Sequence, residues 1–260
     1  VQLFAYEPGT DKLEQLTSGE HSVSGWHYQP ATGQHIIGIN RIDSPGELYL
    51  LESGKPLRQL TAHFSDFTER YAITPQKKIT WKGADGTEIE GLLHYPVNYE
   101  PGKRYPLVVQ THGGPAASDH FGFSRGFTSY TPVLNARGYF VLKPNYRGST
   151  GYGDAFLREM VGGYFKQAHL DVMAGVDHLI AEGMVDPDKL VKMGWSAGGH
   201  MTNKLITFTD RFKAASSGAG AVNWISMYGQ SDVRTYRTPW FGGSPWQKDA
   251  PIDVYWNNSP

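Results

Sequence analysis

From Pro106 onward the apolar residues fall into short, near-continuous runs that alternate with stretches of helical period. PLVVQTHGG (106–114), YFVLKPNYRG (139–148), the apolar-rich 190–195 and KAASSGAG (213–220) read as strands. Between them, FTSYTPVLNARG is a short helix-like run closed by Gly138. Residues 168–182 put Val172, Met173, Val176, Leu179 and Ile180 on one helical face, and a further helix follows 196 to about Phe208. Asp186-Pro187-Asp188 reads as the turn before the third strand. Strands without polar alternation, separated by helices, predict an α/β domain with a parallel sheet covered on both faces. Ahead of it, ITWKGADGTEIEGLLHYP reads as a hairpin turning at Asp85-Gly86, and Asn98–Tyr105 as a Pro/Gly/charged loop.

The first 61 residues have a different period. QLFAYEPGTDKLEQLT (2–17) lines up with GELYLLESGKPLRQLT (46–61) at a spacing of 44, sharing Leu13/Leu57, Gln15/Gln59, Leu16/Leu60 and Thr17/Thr61. Each copy reads as strand, Gly-containing turn, strand, and SGWHYQPATGQHIIGINR supplies two more strands between them. Four short strands in roughly 40–45 residues is the period of a propeller blade, a unit that needs neighbours to bury both faces. The polar, aperiodic 62–80 marks the boundary, giving a propeller part over 1–72 and an α/β part over 73–260.

The strand at 190–195 runs into Gly194-Trp195-Ser196-Ala197-Gly198-Gly199, a G-x-S-x-G sequence in strand–turn–helix context. A serine on such a turn holds its hydroxyl exposed at the strand end. The Ala197 N–H opens the following helix and can face a developing oxyanion. A second donor is expected from an HGG-type loop, and His112-Gly113-Gly114 follows the strand ending at Thr111. Gly114 N–H is the candidate. Together Ser196, Ala197 and Gly114 point to acyl transfer. His112 precedes the serine, whereas this arrangement runs Ser, Asp, His, so it reads as a loop-ordering residue; His200 reads as packing against its own helix. The Gly-rich Asn145–Gly153 lacks the Lys-Ser/Thr of a phosphate loop and reads as a structural loop in which Arg147 pairs a buried carboxylate. Trp224 and Tyr228, one helical turn apart, are candidates to line an apolar pocket, with core packing as the competing role.

Composition narrows the classes. Net charge is −1 with both signs spread along the chain, which gives no basis for nucleic acid or an anionic membrane as partner. No apolar run approaches the roughly 18 residues of a membrane span. There is no cysteine, hence no disulfide or thiolate site, and no metal-ligand spacing such as H-E-x-x-H, so neither metal nor cofactor is expected. Compartment and oligomeric state stay open.

HGGP, NYRGSTGYG, DVMAGVDHLI…VDPDKL, GWSAGGHM, DRFKAASSGAGAVNW and YGQSD, in this order, resemble the prolyl oligopeptidase family of serine peptidases, in its acylaminoacyl-peptidase and dipeptidyl-peptidase-like branch. The resemblance covers about 77–260. It implies a partial α/β-hydrolase fold preceded by the last strands of a β-propeller, Ser196 as nucleophile, the N–H groups of Gly114 and Ala197 as oxyanion hole, and short peptides as substrates. The family's triad Asp and His lie well beyond the elbow, whereas here no histidine follows His200. The expectation is therefore a fragment of a longer peptidase, inactive and poorly stable by itself. An esterase-like hydrolase and a catalytically dead peptide-binding protein are the rival readings.

Overall fold

The computed structural model describes residues 1–124 and 126–260. It divides into two compact units: Val1–Gln76 with His120–Pro132, and Lys77–Asp119 with Val133–Pro260.

In the first unit a two-stranded sheet, β1 (Phe4–Glu7) and β2 (Lys12–Gln15), precedes a four-stranded antiparallel sheet. That sheet is built from β3 (Ser22–Gln29), β4 (Gln34–Asn40), β5 (Glu47–Leu51) and β6 (Arg58–Gln59), in sequential order. On β4, Ile37 and Ile39 are buried while Ile36 is exposed, the alternation expected of a strand with one covered face. Both copies of the 44-residue repeat fold as strand–turn–strand, β1–β2 and β5–β6. A short helix, α1 (Phe67–Arg70), lies in the segment read from sequence as an aperiodic boundary. The excursion 120–132 joins this unit through polar and ring contacts. Gln76 Oε1 accepts from Gly122 N–H (2.9 Å), Asn40 exchanges two hydrogen bonds with the Phe123 backbone (both 3.0 Å), and the Phe67 and Phe123 rings meet edge to face at 5.2 Å.

The second unit holds a six-stranded mixed sheet, ordered β12-β11-β9-β10-β8-β7. Its strands are β7 (Gln76–Lys82), β8 (Glu88–His94), β9 (Tyr105–Thr111), β10 (Phe140–Asn145), β11 (Val185–Trp195) and β12 (Phe212–Gly218). The four from β10 to β12 are parallel, and β8 pairs antiparallel with β10. The expected turn at Asp85-Gly86 closes between β7 and β8, where Gly86 N–H donates to Gly83 O and φ of Gly86 is +83°. β11 starts earlier than expected, because Val185 already pairs with Tyr105. The Asp-Pro-Asp stretch is then absorbed as a register shift before Leu190.

The helices are α2 (Thr131–Ala136), α3 (Asp154–Arg158), α4 (Ala168–Ala181), α5 (Ala197–Phe208), α6 (Trp224–Gln230), α7 (Arg234–Phe241) and α8 (Ile252–Asn257). On α4, Val172, Met173, Val176 and Leu179 enter a core with Leu107, Val109, Phe140, Leu142 and Leu190 of the sheet, and Met201 and Leu205 of α5 join them. β10 is buried along its whole length, as parallel strands covered on both faces are. Among the described residues no helix is long and apolar enough to cross a membrane.

Candidate active site

Thr111, the last residue of β9, pairs in parallel register with Gly194 of β11. Two loops therefore leave adjacent strand ends: His112–Gly114 from one, Trp195–Ala197 from the other. They nearly touch. A Cβ added to Gly113 would lie 3.1 Å from Trp195 O and 3.3 Å from Ser196 Cβ. The turn is equally crowded beneath, since a Cβ on Gly194 would overlap the Gly198 carbonyl and one on Gly198 the Thr111 carbonyl. Glycine at both positions is what lets α5 start directly on the strand ends.

Ser196 sits at φ 58°, ψ −120°, a conformation that costs a non-glycine residue on the order of 1–3 kcal/mol. The turn is held by Ser196 N–H donating to Gly218 O at 2.9 Å and His200 N–H to Ser196 O at 3.0 Å. Ala197 begins α5, so its N–H has no partner inside the helix. Among the described residues neither the Ala197 nor the Gly114 N–H finds a backbone acceptor. The structure thus brings Ser196, Ala197 and the Gly113-Gly114 loop together.

The two histidines near the turn are occupied elsewhere. His112 stacks on Tyr146 at 4.5 Å, with Nδ1 2.8 Å from Gly113 O and Nε2 2.9 Å from Ser149 Oγ. It ties the loop to the Gly-rich segment after β10, the ordering role expected of it. His200 donates through Nδ1 to Ala221 O (3.0 Å), and its Nε2 is enclosed between Tyr164, Phe165 and Trp224. Burial pushes the His200 imidazole down to about 3, where it is neutral across the physiological range.

His94 of β8 is likewise pushed down to about 3, first by burial and then by the Lys143 charge. For both, the unfolded chain binds a proton near pH 6.5 that the folded chain refuses, so stability is full above that pH and is lost as pH falls towards 3. Two such groups give a slope of about 2.7 kcal/mol per pH unit in that window. The thermal midpoint is expected to fall steadily between pH 6 and pH 4.5, and substituting His94 and His200 by asparagine to make that fall shallower, the part left including that of His112 and His169, which burial lowers in the same direction.

Arg147 was expected to pair a buried carboxylate. The partner is Asp171 of α4, which is fully buried: Arg147 Nη2 lies 2.6 Å and Nε 2.9 Å from its oxygens, and Arg147 N–H adds a third bond at 3.1 Å. Asp85 takes the remaining guanidinium nitrogen. These two carboxylates hold Arg147 above its ordinary range.

Trp224 opens α6 behind an Asn223 cap whose side chain accepts from Ser226 N–H at 2.9 Å. It is a core residue, 2% exposed, packed edge-on against Tyr164 (4.9 Å) and covered by the Arg237 guanidinium at 4.9 Å. Tyr228 is half-buried, with Oη 3.1 Å from Thr238 Oγ1. Both border one small cavity that Arg234, Arg237 and Phe241 also line. Core packing and cavity lining are thus combined in Trp224.

Sequence reading missed Lys192. It lies in the middle of β11 with no exposed surface, below the turn. A signal was present: a lysine inside a central parallel strand must find partners within the protein.

Known proteins place these features in context. The profile of the prolyl oligopeptidase family matches residues 125–260. An uncharacterized peptidase of Bacillus subtilis is 33% identical over 239 residues, covering 92% of this chain and 36% of that protein. The acylamino-acid-releasing enzyme of Arabidopsis thaliana is 38% identical over 135 residues, 52% of this chain and 17% of that one. The chain therefore spans about a third or less of these relatives' lengths. Acylaminoacyl peptidase of Pyrococcus horikoshii superposes with a TM-score of 0.86 over 100% of this chain and 40% of its own, at 24% identity. The fold is accordingly a partial α/β-hydrolase fold preceded by the last strands of a β-propeller. With the family profile matched over more than half of its residues, the strand end, the elbow and everything after them included, the chain belongs to the prolyl oligopeptidase family.

Proposed function

We propose that this chain carries the nucleophile and oxyanion hole of a serine peptidase that hydrolyses short peptides through an acyl-enzyme on Ser196. The observation that carries the reading is the backbone of Ser196 itself: a serine held at φ 58° where β11 turns into α5. Folded proteins retain such strain where function requires it, and here it lifts a hydroxyl out of the strand end. Ser196 Oγ attacks the peptide carbonyl. The carbonyl carbon becomes tetrahedral, and its oxygen takes up the negative charge between the N–H groups of Ala197 and Gly114. Collapse breaks the C–N bond, the amine leaving with the proton that the general base took from Ser196. Water, deprotonated by the same base, then releases the acyl group, and the base returns the proton to Ser196. Of the two pocket candidates Trp224 and Tyr228, the half-buried Tyr228 would border the substrate's side chain, with Trp224 packed in the core behind it. The domain assignment behind this reading is a propeller part over 1–72 and a hydrolase part over 73–260.

The serine needs a base. His112 and His200 have their ring nitrogens committed to other groups or enclosed, so neither is assigned that role. The triad His and Asp are proposed to come from outside these 260 residues, which leaves the chain as it stands without hydrolytic activity.

Fluorophosphonate labelling tests this directly. It is run on the 260-residue chain and on the protein as its gene encodes it, each with a Ser196→Ala control. Labelling of the whole protein alone, abolished in its control, is the expected result. Labelling of the 260-residue chain would return His112 or His200 to consideration as base. A whole protein that binds peptides but never labels would be a binding protein.

A further inference from the structure

Among the described residues Lys192 has no counter-ion. Its Nζ lies 2.7 Å from Thr111 Oγ1, 2.7 Å from Met193 O and 3.1 Å from Thr202 Oγ1. Both threonine hydroxyls in turn donate to the Gly198 carbonyl, Thr111 at 3.0 Å and Thr202 at 2.9 Å. All five contacts are satisfied together only by an ammonium. Each hydroxyl proton is used on Gly198, so each hydroxyl oxygen accepts from Nζ, and the Met193 carbonyl can only accept. Three acceptors need three donors, which an ammonium has and a neutral amine lacks.

The groups so joined are those that set the site. Thr111 is the residue before the His112–Gly114 loop, Met193 the residue before the elbow, and Gly198 and Thr202 belong to the first turns of α5. The geometry points to Lys192 as a positioning residue for the peptidase reaction, a buried cationic clamp that fixes the Gly114 loop and the Ser196–Ala197 turn relative to each other. The inference rests on Ser196 being the nucleophile. An unpaired buried ammonium is costly, and an apolar side chain would fill a central strand at less cost. Its retention is understandable if it aligns two donors that must meet one oxygen.

The clamp has a pH signature. The residues beside Lys192 on the flanking strands, Val109 and Ala215, and its partners on α5 carry no charge. Burial holds the ammonium well below the ordinary lysine range, so it loses its proton at a lower pH than an exposed lysine does. Once neutral, Nζ donates to only two acceptors. One hydroxyl must then turn its proton from Gly198 towards Nζ, and the clamp slackens.

The test is steady-state hydrolysis of a short chromogenic peptide by the whole natural protein and its Ser196→Ala, Lys192→Met, Thr202→Val and Thr202→Ser variants. Lys192→Met is expected to lower kcat by about 10- to 100-fold with KM within about 2-fold, since misaligned donors cost part of what a deleted donor costs. A fall in kcat as the Lys192 proton is lost with rising pH is expected of the wild type and is expected to be absent from Lys192→Met. Thr202→Val should lose about 10-fold in kcat and Thr202→Ser, which keeps the hydroxyl, should recover it. Wild-type kcat in Lys192→Met or Thr202→Val overturns the clamp. If Lys192→Met does not fold, the Thr202 pair decides alone. Full activity in Ser196→Ala overturns the nucleophile, and the clamp's catalytic role with it.

Discussion

Ser196→Ala in the whole protein is expected to reduce kcat on a peptide substrate by at least about 10⁴-fold, with no change in substrate binding. The substitution removes only Oγ. The loop, the turn and the helix amides stay where they are, so whatever rate survives comes from substrate positioning and the proposed oxyanion donors alone. Its stability should match the wild type within about 0.5 kcal/mol, because the Cβ that makes φ 58° uncomfortable is still present. Ser196→Gly should lose as much activity yet gain about 1 kcal/mol, the strain being released with the Cβ. Equal stabilities for the alanine and glycine variants would contradict a strained elbow; a Ser196→Ala variant that still turns over would remove Ser196 from the mechanism.

Arg147→Met is expected to be the most damaging substitution for stability away from the glycines of the turn. It leaves the fully buried Asp171 carboxylate without its cation, a loss of about 3–5 kcal/mol. For a domain of this size the thermal midpoint should drop by about 10 °C. Removing both partners, Arg147→Met with Asp171→Leu, should restore much of it, because no bare charge remains. A double variant no better than the single one would show that the pair's hydrogen bonds, including Asp171 with the Arg147 backbone N–H, matter more than its charges. Thermal unfolding followed by circular dichroism distinguishes the two.

The strands β9, β10, β11 and β12 and the helices α4 and α5 were legible because each has a clean period bounded by glycine or a polar turn. The elbow was legible for a different reason: glycine at 194 and 198 is forced by backbone contact, so the motif reports geometry directly. α6, α7 and α8 were not. They are 7, 8 and 6 residues long and rich in aromatic residues without a helical stripe, and packing against the Trp224 and Phe241 cluster defines them more than local preference. α1 was missed on the same ground. The excursion 120–132 has no sequence signal, since its attachment runs through backbone groups of Gly122 and Phe123 and single side chains far away in sequence. Lys192 was passed over because, in LVKMGW, a lysine between Val191 and Met193 looks like any solvent-facing strand position. The strand context was the signal, but its partners Thr111 and Thr202 are identified only by the packing of β9 and α5 against β11.

That strand order also says when the site comes into being. Leu190 and Phe212, which join β11 to β12, are 22 residues apart, and Phe140 and Leu107, which join β10 to β9, are 33 apart. Leu190 and Leu107, which join β11 to β9, are 83 apart. Closing the longer of the last two loops costs about 0.8 kcal/mol more in chain entropy than closing the shorter. The pairing that sets the Gly114 loop beside Ser196 is thus the least local contact in the parallel part of the sheet, and during refolding it should form after its neighbours. A chain that has docked β10 on β9 but not β11 therefore holds the Gly114 loop and the Ser196–Ala197 turn apart, and the proposed pair of oxyanion donors exists only after that last docking.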